Sequence, residues 1–385
     1  MKRTSKILAL VLAVCMISAL CACGKTAEAP AAEEVTEGAT STIPEGGFKI
    51  ACSTGMGGNT WVAQYNDDFT QHCEMYKEMG LVSDYQIVNT NADLTEQINQ
   101  CTSLINSGID CLILWPASTS GVQPIIELAK ANDVLVIINN DPAAFEGTYC
   151  VCGNTTKFSS ILAEWLCNEL GGEGNIVRIE GMAGNNSNEL RVPAEDEVIA
   201  KYPGITTLAS GNGNYSQTVA QEVMTTFLST YGDKIDGVLA QDVMGDGILK
   251  AYKNAGVTPT VMTGDYLKSY LKAWKEIDGL KSCSVTYDAW IGCTALDVAL
   301  NLLQGKTFKD GVLQPNPADE SMINAIVVDP AYVVTLEGDQ NAPWMEGLTS
   351  KAITLDKALE LLADKDDTAA LDGGLSTEEV AALFN

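Results

Sequence analysis

Phe48-Lys49-Ile50-Ala51-Cys52-Ser53-Thr54-Gly55-Met56-Gly57-Gly58-Asn59-Thr60-Trp61 sets the reading of the whole chain. Residues 48–52 form a short, mostly apolar strand. Residues 53–58 are a loop whose glycines let another group approach the backbone. Asn59 suits an N-cap, and residues 60–79 predict one long helix. A strand that enters a helix through such a loop puts the loop at the carboxyl end of a parallel sheet, where ligands bind in open α/β folds.

Downstream the unit repeats. Strands are predicted at 85–88, 110–115 and 134–138, with helices at 93–107 and 121–132 between them. The strand at 134–138 is apolar throughout, as a strand covered on both faces should be. A second series follows, with helices at 157–170, 190–202, 216–231, 246–255, 266–277 and 290–303. Its strands fall at 175–179, 205–209, 237–240, 259–262 and 282–286. Such alternation predicts right-handed crossovers and doubly wound parallel sheets, and two series of this length predict two α/β lobes. One more strand is expected at 322–328. The tail carries two amphipathic helices, 355–362 and 377–384, expected to dock on a lobe.

Ahead of the first strand lies an export signal. Lys2, Arg3 and Lys6 precede an apolar run at 7–20 that is too short to remain as a membrane span. The run ends in Leu20-Cys21-Ala22-Cys23-Gly24, which resembles a bacterial lipobox with lipidation expected at Cys23. Residues 1–22 are therefore read as a signal peptide. Residues 23–47, rich in Ala, Glu, Thr and Pro, are read as a lipidated Cys and flexible tether. The globular part is thus expected outside the cytoplasm, on the outer face of the cytoplasmic membrane. No second stretch is long enough to span a bilayer.

The formal charge of −27 argues against nucleic acid and anionic lipid as partners. Twelve Cys occur. Three belong to the signal, and most of the others lie inside apolar elements, where Cys acts as a small hydrophobe. Cys150 and Cys152 are read as pointing to opposite faces of a strand. With no C-x-x-C pair and one His, at position 72, no metal is expected. The run from Asp372 to Glu379 imitates the end of a calcium loop. Thr368 and Ala370 fall at its first ligand positions, so a capping box of Ser376 with Glu379 is the better reading.

Polar and aromatic residues recur at the strand ends. The first series offers Asn59, Trp61, Asn89, Asn91, Ser118, Asn140 and Asp141. The second offers Arg191, Tyr215, Asp242, Asp265, Tyr287, Asp288 and Trp290. Any one alone reads as a cap or solvated loop; Asn59 and Ser118 suit caps in particular. Their shared position is the signal. C–H faces of a sugar ring pack on aromatic rings, here Trp61 and Tyr215 with Trp290 as a third. Its hydroxyl rim suits Asn, Asp and Arg. Three carboxylates against one Arg disfavour an anionic ligand.

The segments NADLTEQINQCTSLINSGIDCLILWPAS, KYPGI and IDGVLAQD, with the Gly-Met-Ala-Gly loop ahead of Arg191, resemble the ribose/galactose-type periplasmic binding proteins of ABC sugar importers. The resemblance runs from Phe48 to about Asp329. It implies a type I binding-protein fold, two lobes joined by a three-strand hinge that closes on one ligand. One lobe would comprise residues 48–152 plus about 289–316, and the other 153–288 plus about 317–336. Residues 337–385 would then be a helical extension. It also implies that Trp61 and Tyr215 stack on the ring, that Arg191, Asp242 and Asp265 bind hydroxyls, and that Tyr287 or Asp288 lies near a further polar position. Asn140-Asp141 departs from the Asp-Arg common in the family, which replaces a bidentate cation with an acid and implies a different sugar.

An enzyme is disfavoured by the lone His and by the absence of nucleophile, dinucleotide and Walker motifs. A lactose-repressor-like reading lacks its basic helix-turn-helix. The expectation is a lipid-anchored monomer, without cofactor, that captures a monosaccharide and presents it to an ABC permease. The alternatives are a ligand-presenting sensor for a membrane receptor, or a binder of a nucleoside or cationic small molecule.

Overall fold

The computed structural model describes residues 43–385. The expected signal peptide, Cys23 and all but the end of the tether lie outside the described residues.

The opening unit folds as its sequence predicts. β1 (Phe48–Thr54) leads through the glycine loop into α1 (Thr60–Glu78), whose first turn is capped by Asn59 accepting from the Val62 N–H at 2.9 Å. β2 (Val82–Asn89), α2 (Leu94–Asn106), β3 (Cys111–Trp115), α3 (Gln123–Ala131), β4 (Leu135–Asn139) and β5 (Tyr149–Gly153) follow. β1 lies between β2 and β3 in parallel register, and β3, β4 and β5 continue outward.

The second series comprises α4 (Thr155–Glu169), β6 (Glu173–Glu180), α5 (Asn186–Ile199), β7 (Gly204–Asn212), α6 (Gln217–Tyr231), β8 (Gly237–Ala240), α7 (Gly245–Ala255), β9 (Val261–Gly264), α8 (Lys268–Glu276) and β10 (Lys281–Val285). β6, β7, β8, β9 and β10 form the parallel heart of the second sheet. α9 (Ile291–Leu303) then returns to the first lobe, where it packs on α1 and β4.

The remaining strands complete both sheets. β11 (Gln314–Asn316) and β12 (Asp319–Val328) extend the first sheet, β12 running parallel to β5. β13 (Tyr332–Thr335) and β14 (Lys351–Thr354) extend the second, β13 antiparallel to β10. The final orders are β11-β12-β5-β4-β3-β1-β2 and β14-β13-β10-β9-β8-β6-β7, so parallel cores carry antiparallel pairings toward one edge. The chain crosses between the two lobes three times, after β5, after β10 and after β12, and these crossings form the hinge.

Two boundaries differ from the sequence reading. Residues 317–328 belong to the first sheet, because the β12 backbone pairs with β5. The segment beyond 337 is not purely helical: β14 adds a strand, followed by the short α10 (Leu355–Leu361) and α11 (Thr377–Ala381). Ser376 and Glu379 form the capping box at the start of α11. Cys150 and Cys152 share one face of β5 in the same apolar cluster, since residues two apart on a strand point the same way. The nine cysteines among the described residues are free and buried.

Candidate functional site

The carboxyl ends of the two parallel cores face each other across the hinge. Between them lies a cavity of about 50 Å³ lined by Met56, Asn59, Trp61, Trp115, Asn140, Asp141, Asn185, Ser187, Arg191, Tyr215, Asp242, Val243 and Tyr287.

One wall is aromatic. Trp61, in the first turn of α1, packs edge-on to Trp115 with centroids 5.7 Å apart and lies 6.0 Å from the Tyr287 ring. Its indole N–H donates to the Tyr287 carbonyl at 2.7 Å, tying the first lobe to the hinge. Trp61 is 5 % exposed, so its ring is fixed by packing before any ligand arrives.

The opposite wall is built on Arg191. Its guanidinium lies 4.3 Å from the Phe158 ring and 4.8 Å from that of Tyr287. Nη1 donates to Asp242 at 2.6 Å and Nε to Thr155 at 2.8 Å. Burial alone would lower its pKa, but the charge of the Asp242 carboxylate carries it above the ordinary arginine value. Burial also raises the Tyr215 and Tyr287 phenols, so both keep their protons and can donate. The Tyr266 hydroxyl sits between Asp242 Oδ2, at 3.0 Å, and the Tyr287 carbonyl, at 2.9 Å.

Asp141 joins the walls. Its carboxylate accepts from the Trp115 indole at 2.9 Å within its own lobe, and from Ser187 at 2.5 Å and Asn185 at 3.3 Å in the other. Beside it the Asn140 Oδ1 is buried without a hydrogen-bond partner, an acceptor turned to no other protein group. Asn140, Tyr215 and Val243 all have positive φ, at 61°, 53° and 53°. For β-branched Val243 this conformation costs on the order of 1–3 kcal/mol, and such strain concentrates where a site needs it. Gly181 makes room for the Tyr215 ring, since a Cβ there would lie 2.2 Å from it.

Three expected residues do not line the cavity. Asp265 follows β9 as anticipated, but its carboxylate accepts from the backbone N–H groups of Met244 and Gly245 at 3.1 and 2.7 Å. It caps α7, which has no capping side chain of its own. Asp288 is buried in the second hinge crossing, where burial and then the neighbouring Asp372 raise its pKa well above the carboxylate range. Trp290 faces the tail, its indole donating to the Leu375 carbonyl at 3.1 Å. Asn89 is also spent, donating to Thr54 and the Met56 carbonyl, while Ser118 accepts from the Gly121 N–H. The lining acids are therefore Asp141 and Asp242, and Arg191 neutralises Asp242. Met56, Trp115, Asn185, Ser187 and Val243 were not anticipated.

The sequence model of the periplasmic binding protein domain family matches residues 50–307. The chain belongs to that family. This periplasmic binding protein is 33 % identical over 240 residues to the xylitol-binding protein of Mycolicibacterium smegmatis, covering 60 % of this chain and 66 % of the relative. It is 27 % identical over 203 residues to the galactofuranose-binding protein of Escherichia coli, covering 49 % and 63 %. The matches thus span just under two thirds of those curated relatives. Both relatives are named as binding proteins. A solute-binding protein from Thermobispora bispora has the same fold, with a TM-score of 0.65 at 23 % identity over 82 % of this chain and 95 % of the other. The arabinose-transporter binding protein of Shewanella sp. ANA-3 also scores 0.65, at 19 % identity over 75 % and 92 %.

Proposed function

We propose that the protein captures a neutral monosaccharide or similar polyol between its lobes outside the cytoplasm and delivers it to an ABC permease while anchored through lipidated Cys23. The observation that carries this reading is the pairing of an aromatic wall, Trp61 with Trp115, with polar groups contributed by both lobes around one small cavity. Sugar rings present apolar C–H faces to such a wall and hydroxyls to such a rim. In this reading Trp61, Trp115 and Tyr215 pack on the ring. Asn59, Asn140, Asp141, Arg191, Asp242 and Tyr287 meet its hydroxyls, and the unpartnered Asn140 Oδ1 accepts one of them. With Arg191 neutralised by Asp242, the remaining carboxylate Asp141 disfavours phosphorylated and acidic sugars. The named ligands of the two relatives, xylitol and galactofuranose, are a polyol and a sugar of this chemistry.

A thermal-shift screen of the protein lacking residues 1–22 tests the proposal, with pentoses, hexoses, polyols, nucleosides and amines in the panel. A ligand at a hundred times its dissociation constant should stabilise the fold by about 2.7 kcal/mol. Response to a sugar or polyol alone is expected. Response only to a nucleoside or an amine would overturn the reading of the cavity.

A further inference from the structure

Beyond the residues matched by the family, the tail makes a path of its own. It begins on the second lobe. β14 pairs with β13, and Lys275 reaches Asp356 in α10 at 2.7 Å. The N–H groups of Lys268 and Ser269 donate to the carbonyls of Ala369 and Asp367, and the Leu371 N–H donates to the Tyr266 carbonyl, all at 2.9 Å.

It ends on the first lobe. Thr377, the first residue of α11, donates to Asp297 Oδ2 at 3.0 Å. The other oxygen of Asp297 is bonded by His72 and Tyr76 of α1, each at 2.6 Å. Phe384 stacks on Phe308 with centroids 4.3 Å apart, and the Asn385 N–H donates to the Thr307 carbonyl at 2.9 Å.

Between these anchors, residues 372–376 cross beside the hinge. The Trp290 N–H donates to Asp372 Oδ2 at 2.9 Å. Gln64 of α1 clasps the strap where it is still bound to the second lobe: the Ala370 N–H donates to Gln64 Oε1 at 2.7 Å. A chain that runs six residues from Leu371 to Thr377 reaches at most about 20 Å. Any rotation that separates α1 from the second lobe must break the Gln64 clasp and then draw this short segment taut.

We propose that residues 355–385 are a strap, a fourth connection between the lobes, that holds them together and limits how far the cleft opens. The inference does not depend on which solute the cleft takes.

Small-angle scattering of the protein without ligand tests it, using two variants: one with the chain ended after Leu375, and full-length Gln64→Ala with Phe384→Ala. The first removes the anchor on the first lobe, and the second loosens the clasp and the terminal stack. Both should retain wild-type circular dichroism and scatter with a larger radius of gyration than wild type. If the shortened chain fails to fold, the full-length double variant decides. A folded double variant with the wild-type radius would overturn the proposal.

Discussion

Ser187 on one lobe donates its hydroxyl to Asp141 on the other at 2.5 Å, and the same carboxylate holds the Trp115 indole of its own lobe at 2.9 Å. Asp141 thus links the aromatic wall to the facing lobe. In this geometry, closing the cleft and shaping its floor use one side chain.

Replacing Asp141 with Ala should therefore weaken ligand binding more than the loss of a single contact. Hydrogen bonds to a charged group contribute about 1.5–3 kcal/mol each, roughly ten- to hundredfold in Kd for one bond alone, so a rise of about a hundredfold or more is expected. Calorimetric titration with the best ligand from the thermal-shift panel measures it. An unchanged Kd would remove Asp141 from both roles.

Trp61→Phe keeps an aromatic face while deleting the N–H that bonds the Tyr287 carbonyl. Trp61→Ala deletes both and opens a core cavity at a cost of about 3–5 kcal/mol. The expected order of Kd is wild type, then Phe, then Ala, with Tm lowered most in the Ala variant. Equal Kd in all three proteins would exclude ring stacking at this position.

Trp61, Tyr215 and Arg191 were legible because strand-helix alternation marks strand ends, and a polar or aromatic residue there stands out. Trp115 was not, since it closes the apolar run Cys111-Leu112-Ile113-Leu114 and reads as core. Asn185 caps α5 and Ser187 lies in its first turn, so both read locally as a helix start, and their bonds to Asp141 across the cleft are encoded by no local pattern. Asp265 misled for a reason that lies in another element. α7 starts after Val243-Met244 with no capping residue, so its first N–H groups needed an acceptor from a neighbouring strand. The tail was legible as two amphipathic helices, but not as a connection between lobes, because its anchors at Gln64 and Asp297 are far away in sequence.

Arg191 and Asp242 are a buried pair at 2.6 Å, with side chains 2 % and 7 % exposed. Arg191→Met leaves Asp242 without its cation and should cost about 3–5 kcal/mol of stability. Adding Asp242→Asn removes the stranded charge and should recover much of that loss in urea unfolding, while ligand binding stays impaired. Recovery of binding along with stability would show that the pair only supports the fold.

Burial, reinforced by Asp246 and Asp242, pushes the Asp265 carboxyl up to about 8. An unfolded chain releases that proton near pH 4. Between these values the native state holds a proton that the unfolded state has lost, so stability falls as pH rises across the window. One such group contributes a slope of at most about 1.4 kcal/mol per pH unit. Burial also raises Asp68, to about 6, together with Asp246 and Glu195, so these acids add to the slope. Asp265→Asn removes the titrating group and keeps one oxygen for the α7 backbone. Urea unfolding at intervals from pH 5 to 8 should give a visibly flatter dependence for the variant than for wild type. Parallel curves would mean that the N–H groups of Met244 and Gly245 hold Asp265 ionised throughout the window.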